Sequence, residues 1–113
     1  MTLQELIDCQ LFTPAYIPED TTGELSTPFC CDLLSIAMSR APERCVWVTV
    51  MANMNTLAVA ALTDCACVVL AENTAFDDTC MQKAISQEIP VFTTDMPVFD
   101  AALAVWKAMQ PGQ

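Results

Sequence analysis

Three short apolar runs constrain this chain more than any other feature: residues 45–50 (CVWVTV), 65–72 (CACVVLAE) and 89–94 (IPVFTT). Each is rich in β-branched or aromatic residues, and none alternates cleanly between apolar and polar. That is the pattern of strands covered on both faces. Helix-length segments follow each of them. MANMN leads into TLAVAALTD, a small-residue helix with Asn53 or Asn55 as N-cap. FDDTCMQKAISQE carries Asp77 and Asp78 in its first turn, where the helix dipole favours them. DMPVFDAALAVWKAM closes the series, with Asp95 as the expected N-cap and Phe99, Ala102, Leu103, Trp106 and Met109 along one face. Strand, helix, strand, helix, strand, helix implies parallel strands joined by right-handed crossovers. The expected class is α/β: a single domain, with helices packed on a mostly parallel sheet.

The most apolar stretch, residues 46–73, also has to be tested as a membrane span. Residues 50–70 are long enough, but they include Asn53, Asn55, Thr56, Thr63 and Asp64. One internal aspartate alone costs about 2.5–3.5 kcal/mol on insertion. The stretch reads as a βαβ unit with a polar turn, and no membrane span is expected.

Upstream, Thr2 and Glu5 form the pattern of a capping box, opening a helix that runs to about Cys9. Prolines, acids and threonines in QLFTPAYIPEDTTGELSTP suggest a short edge strand near residues 11–13 and then an extended loop. Residues 29–40 (FCCDLLSIAMSR) read as one helix. Leu33, Leu34, Ile36, Ala37 and Met38 wrap most of its circumference, so burial on more than one side is expected. The organisation is an N-terminal helix and loop over 1–28, a βα core over 29–109 and a short tail at 110–113.

At 113 residues the chain has room for one core. Hydrophobic residues make up 54% and charged residues 16%, which excludes a disordered tail. Fourteen acidic residues against four basic ones give a net charge of −10, which repels nucleic acid and anionic lipid. The absence of histidine removes Ser-His-Asp and Cys-His nucleophiles and histidine-ligated zinc. Only Gly23 and Gly112 are glycines, so no glycine-rich phosphate loop forms. The N-terminus lacks the features of a signal peptide, so a cytoplasmic protein with reduced thiols is expected. No catalytic residue, metal site or cofactor is assigned.

Ligands of open parallel sheets bind at the carboxyl ends of the strands. Three loops meet there and offer Thr49, Asn53, Asn55, Glu72, Asn73, Thr93, Thr94 and Asp95. Turns and helix caps account for each of these singly; as a group they form a candidate polar rim. Glu72 with Asp77 and Asp78 reads as helix-capping acids rather than a magnesium site. Among the seven cysteines, Cys65 and Cys67 are expected to share a strand face as small core residues. Cys30 and Cys31 are expected to open a helix whose dipole lowers a thiol pKa. Cys9, Cys45 and Cys80 are isolated, and no C-x-x-C pair occurs.

The ordered set DLLSIAM, VWVTVMANMNTLAVAALTDCACVVLAEN and IPVFTTD resembles the DRTGG domain family, over about residues 31–109. In family order and spacing come the DLLS helix start, the W-x-T-V strand, the N-x-N turn with its AVA helix, and the D-x-A-C-V-x-L-A-E strand. The resemblance implies an α/β domain that in some regulated pyrophosphatases sits beside CBS modules and contributes to dimerisation. The domain also occurs in phosphotransacetylases, and the N-terminal domain of HPr kinase/phosphorylase looks related. Small stand-alone versions are encoded in anaerobic bacteria, often near hydrogenase and signalling genes. The family pattern places Asp32, Ser35, Asn53 and Asn55 at recurrent polar positions and supplies no catalytic residue. This chain departs from it where members usually have a glycine pair: Thr27 and Pro28 stand there.

The leading functional expectation is a non-catalytic regulatory or assembly domain that acts as a homodimer, with an unidentified protein partner, in a signalling or metabolic complex. The alternatives are a small-ligand sensor, for an adenine nucleotide or another metabolite, using the strand-end rim, and a redox or metal protein using several cysteines.

Overall fold

A single five-stranded sheet takes up all three runs and two more segments. In the computed structural model, which describes residues 1–111, the strands are β1 (Thr13–Tyr16), β2 (Pro28–Cys30), β3 (Val46–Thr49), β4 (Cys67–Leu70) and β5 (Val91–Thr93). Their order across the sheet is β1-β5-β4-β3-β2. Strands β2 to β5 are parallel neighbours, and β1 pairs antiparallel with β5. The expected α/β class and mostly parallel sheet are what form. Of the tail 110–113, residues 112 and 113 lie outside the described residues.

The helices are α1 (Leu3–Asp8), α2 (Leu34–Arg40), α3 (Met54–Leu62), α4 (Asp78–Ser86) and α5 (Val98–Met109). Each of α2, α3 and α4 connects two adjacent parallel strands, and the three pack in a row. After β5, α5 crosses back onto β2 and β3. Strand periodicity divides the core between the two faces. Val46, Val48, Cys67, Val69 and Phe92 pack with residues of α1 and α5, while Trp47, Val68, Leu70 and Val91 pack with residues of α2, α3 and α4. Every residue of β3 and β4 is buried, which is why their sequences do not alternate.

Local chemistry sets the helix starts. Thr2 and Glu5 make both bonds of the capping box, at 3.2 Å and 2.9 Å. Asp77 caps α4, and the Cys80 N–H it accepts at 2.8 Å holds its carboxyl below the usual carboxylate range. No helix among the described residues is long and apolar enough to cross a membrane.

Four expectations are corrected. Residues 29–40 are not one helix: Phe29 lies in β2, paired with Trp47, and α2 begins at Leu34. A strand there occupies the edge of β3 that would otherwise present unpaired, buried backbone groups. Nor is α2 buried on several sides, because it ends the row of helices, with α3 as the helix packed beside it. Ala37 alone is buried, while Leu33, Ile36 and Met38 are 55%, 45% and 52% exposed. The edge strand starts at Thr13, where its register with Thr93 begins, rather than at residue 11. Finally, Pro97 rather than Asp95 is the N-cap of α5, and the helix lies on Ala101, Ala102 and Val105. These small side chains bring the helix close to the sheet and turn Phe99 and Trp106 outward, 70% and 51% exposed.

The two faces predict a sharp contrast along α3. Replacing Leu57, 1% exposed, with alanine should cost about 2–5 kcal/mol in urea unfolding. Leu62→Ala, at a position 70% exposed on the same helix, should change stability by less than about 0.5 kcal/mol.

Candidate functional site

The expected polar rim divides into a clamp, a cap and a cleft. Asp32, just after β2, makes the clamp. Its Oδ1 accepts the Thr49 hydroxyl at 2.7 Å and the Val50 N–H at 3.0 Å. Thr49 Oγ1 in turn accepts the Met51 N–H at 3.2 Å. Thr49 is fully buried, so its hydroxyl without a partner would cost about 1–3 kcal/mol. The Trp47 indole N–H donates to the Cys31 carbonyl at 3.0 Å and ties the same two segments a second time.

Asn53 makes the cap. It is the N-cap of α3, its Oδ1 accepting the Thr56 N–H at 3.1 Å. Thr56 is fully buried, and its hydroxyl donates to the Met51 carbonyl at 2.6 Å. Sequence reasoning passed over Thr56 as a structural polar residue. Its signal is position: it stands three residues after the capping asparagine, where its N–H meets the cap.

The cleft lies at the ends of β4 and β5. Glu72 and Asn73 adopt left-handed backbone, φ 56° and 61°, and their N–H groups donate to the carbonyls of Met96 and Thr94, both at 2.9 Å. This seats one loop on the other. Asn73, Thr93, Thr94 and Asp95 then line a cleft of about 340 Å³ together with Phe12. Exposed Glu72 is not part of its wall. Ser35 and Asn55 are exposed on α2 and α3. Among the described residues neither side chain has a hydrogen-bond partner, and neither lines this cleft.

The side-chain cations are sorted along the strand axis. Helices α2 to α5 all start at the strand carboxyl ends, where Asp32, Glu72, Asp77, Asp78, Asp95 and Asp100 gather. All four side-chain cations stand at the opposite end: Arg40, Lys83 and Lys107 in last helical turns, and Arg44 just before β3. The larger cleft, about 490 Å³, is also at that end, lined by Arg44, Asp64, Cys65 and Glu88 among others. Sequence reasoning missed it, because its walls come from four segments far apart in the chain.

Two cysteine expectations are corrected. Cys30 ends a strand rather than opening a helix, and burial followed by the Asp32 carboxylate pushes its thiol up, the reverse of a dipole effect. Cys65 and Cys67 do not share a face. Cys65 lies in the turn before β4 and packs with the α3 side, while Cys67 packs with the α5 side. Thr27 and Pro28, in place of the glycine pair, belong to the β2 ladder: the Thr27 carbonyl accepts the Val46 N–H at 2.9 Å, and Pro28 pairs with Val46.

No family model and no curated protein matches this chain. Among solved structures it is similar to the CBS and DRTGG domains of the regulatory region of Clostridium perfringens pyrophosphatase, complexed with its activator diadenosine tetraphosphate. The TM-score is 0.74 at 13% identity, over 95% of this chain and 46% of that one. This chain therefore spans less than half the length of that regulatory region. At that identity the likeness is one of fold, and the fold is DRTGG-like.

The clamp predicts a graded response at Asp32. Asp32→Ala removes the acceptor of a buried hydroxyl and should lower stability by about 1–3 kcal/mol in urea titrations. Asp32→Asn keeps an Oδ1 acceptor and should cost distinctly less.

Proposed function

We propose that this protein is a non-catalytic regulatory or assembly domain that works as a homodimer in a cytoplasmic signalling or metabolic complex. One observation carries the reading: large apolar side chains left in water around the β2 edge. Leu33 and Ile36 project at α2, which leads away from β2, and Phe99 and Trp106 at α5, which packs on β2. Phe99 and Trp106 stand about two turns apart and share one flank of their helix. By contrast, α3 exposes Met54 and Leu62 only at its two ends, and α4 exposes the single large apolar residue Ile85.

Strand β2 is three residues long and includes Pro28, so its outer edge is poorly suited to extending the sheet. The side chains beside it are what a second copy would bury. Arg40 and Lys107, half of the chain's cations, are on these same two helices and reduce repulsion between copies of net charge −10. Two further features support a regulatory rather than a catalytic role. The Thr49 and Thr56 hydroxyls and Asn53 are used in structural hydrogen bonds, and the DRTGG-like fold occurs in the regulatory region of a pyrophosphatase.

Native mass spectrometry should give twice the chain mass at micromolar concentration. A Phe99→Ser/Trp106→Ser variant should raise the dissociation constant at least about tenfold, as expected when buried aromatic anchors are truncated. A clean monomer for the unmodified chain overturns the dimer.

A second reading, a small-ligand sensor, is favoured by the Asn73–Asp95 cleft, whose volume falls in the range of small-molecule sites. The regulatory region of similar fold binds diadenosine tetraphosphate, but the rim of this chain carries no cation. A nucleoside, or a nucleotide with bound magnesium, suits it better than a free polyphosphate. In thermal unfolding, adenosine or magnesium-ATP near 100 times its dissociation constant should stabilise the fold by about 2.7 kcal/mol, with metal-free ATP inert. No shift from any of these removes the reading.

A further inference from the structure

At the end of the sheet away from the rim, β3 and β4 begin side by side, and each is preceded by a cysteine. Arg44 N–H donates to the Asp64 carbonyl at 2.8 Å, and Ala66 N–H to the Cys45 carbonyl at 2.8 Å. The backbone thus holds Cys45 and Cys65 together although twenty positions separate them. The Cys45 thiol donates to Cys65 Sγ at 3.4 Å, and Thr63 Oγ1 lies 3.2 Å from the same sulfur. Both cysteines are buried, but Cys65 also forms part of the wall of the Arg44 cleft. Cys67, two residues on, faces the other side of the sheet and lines neither of the two clefts described.

The two sulfurs are not equivalent. The hydrogen bond from Cys45, with help from Thr63, lowers the Cys65 thiol pKa against the opposing effects of burial and the Asp64 carboxylate. That same bond, together with burial, pushes Cys45 up. One sulfur is prepared to attack and the other to follow.

We infer that Cys45 and Cys65 are a reversible dithiol–disulfide pair, oxidised by a small hydroperoxide that enters through the Arg44 cleft. The Cys65 thiolate attacks a peroxide oxygen. An S–O bond forms as the O–O bond breaks, and the leaving oxygen takes up a proton as water or an alcohol. The Cys45 sulfur, giving up its proton, then attacks Cys65 sulfur. The S–S bond forms, the S–O bond breaks, and the departing hydroxyl takes a proton and leaves as water. Two thiols lose two electrons and the peroxide gains them. The sulfurs start in van der Waals contact and must close to a bond of about 2.05 Å, a movement of little more than an ångström. Cys65 stands between α3 and β4, its own N–H bonded to the Ala60 carbonyl at 2.9 Å, so closure falls to the two side chains. Disulfides of this kind in reducing compartments are transient and redox-sensing.

The test uses the full chain with exposed Cys9 and Cys30 replaced (Cys9→Ser/Cys30→Ser), reduced and then treated with one equivalent of hydrogen peroxide. Free thiols are blocked and the digest is mapped by mass spectrometry. The expected product is a peptide pair joined through Cys45 and Cys65, two hydrogens lighter than the thiols and separated again by dithiothreitol. In a further Cys45→Ser variant, oxidation should stop at a Cys65 sulfenic acid that dimedone captures. The cross-link map stands without that variant if it fails to fold. Recovery of both thiols in blocked form after peroxide, or a disulfide from either one to another cysteine, overturns the inference.

Discussion

The structure depends on one strand pair, β3 against β4, with Val46 opposite Cys67 and Thr49 opposite Leu70. Both strands are buried along their whole length, so their backbone groups have no recourse to water and must pair on both edges. That demand calls β2 to one side and β5 to the other. It also requires a cover on each face, which α2, α3 and α4 supply on one side and α1 and α5 on the other. Thr49 is the polar residue in these two strands, and its burial is tolerable because Asp32 comes across from the end of β2 to accept its hydroxyl. The clamp is thus a consequence of the central pair, and much of the apparent rim chemistry is spent on closing the sheet.

Parallel strand order has an electrostatic consequence. Successive crossovers make all the connecting helices run the same way, with their amino ends together. Acids at first turns and cations at last turns each suit the local helix dipole. Summed over α2, α4 and α5, this local preference collects cations at one end of the domain, where Asp64 and Glu88 also stand. One end becomes an acidic rim, and the other holds all the side-chain cations, the larger cleft and the Cys45–Cys65 contact.

Much of the fold was legible because β3, β4 and β5 are short apolar runs set between helices with recognisable starts. Thr2, Asn53 and Asp77 all cap where their residue types and spacing suggest. Legibility failed where two structures make the same demand on composition. Phe29-Cys30-Cys31 is as apolar as a buried helix start, and it became a strand and its exit because β3 needed a neighbour. In α5, apolar residues cover more than one face. The choice fell to Ala101, Ala102 and Val105, whose small volumes allow close approach to the sheet. The site was less legible than the fold. Asp32 and Thr49, picked as ligand candidates, meet each other across seventeen positions, and Thr56 went unmarked beside Asn53.

The sequence by itself determined the class of fold, the order of its β3-to-α5 core and the exclusion of histidine chemistry, because periodicity, capping and composition are local quantities. Tertiary structure alone decided which apolar surfaces stay in water, which polar groups satisfy one another and which cysteines touch. Those outcomes depend on strand order and register, which bring residues from distant segments within bonding reach or leave them at an edge with nothing to cover them.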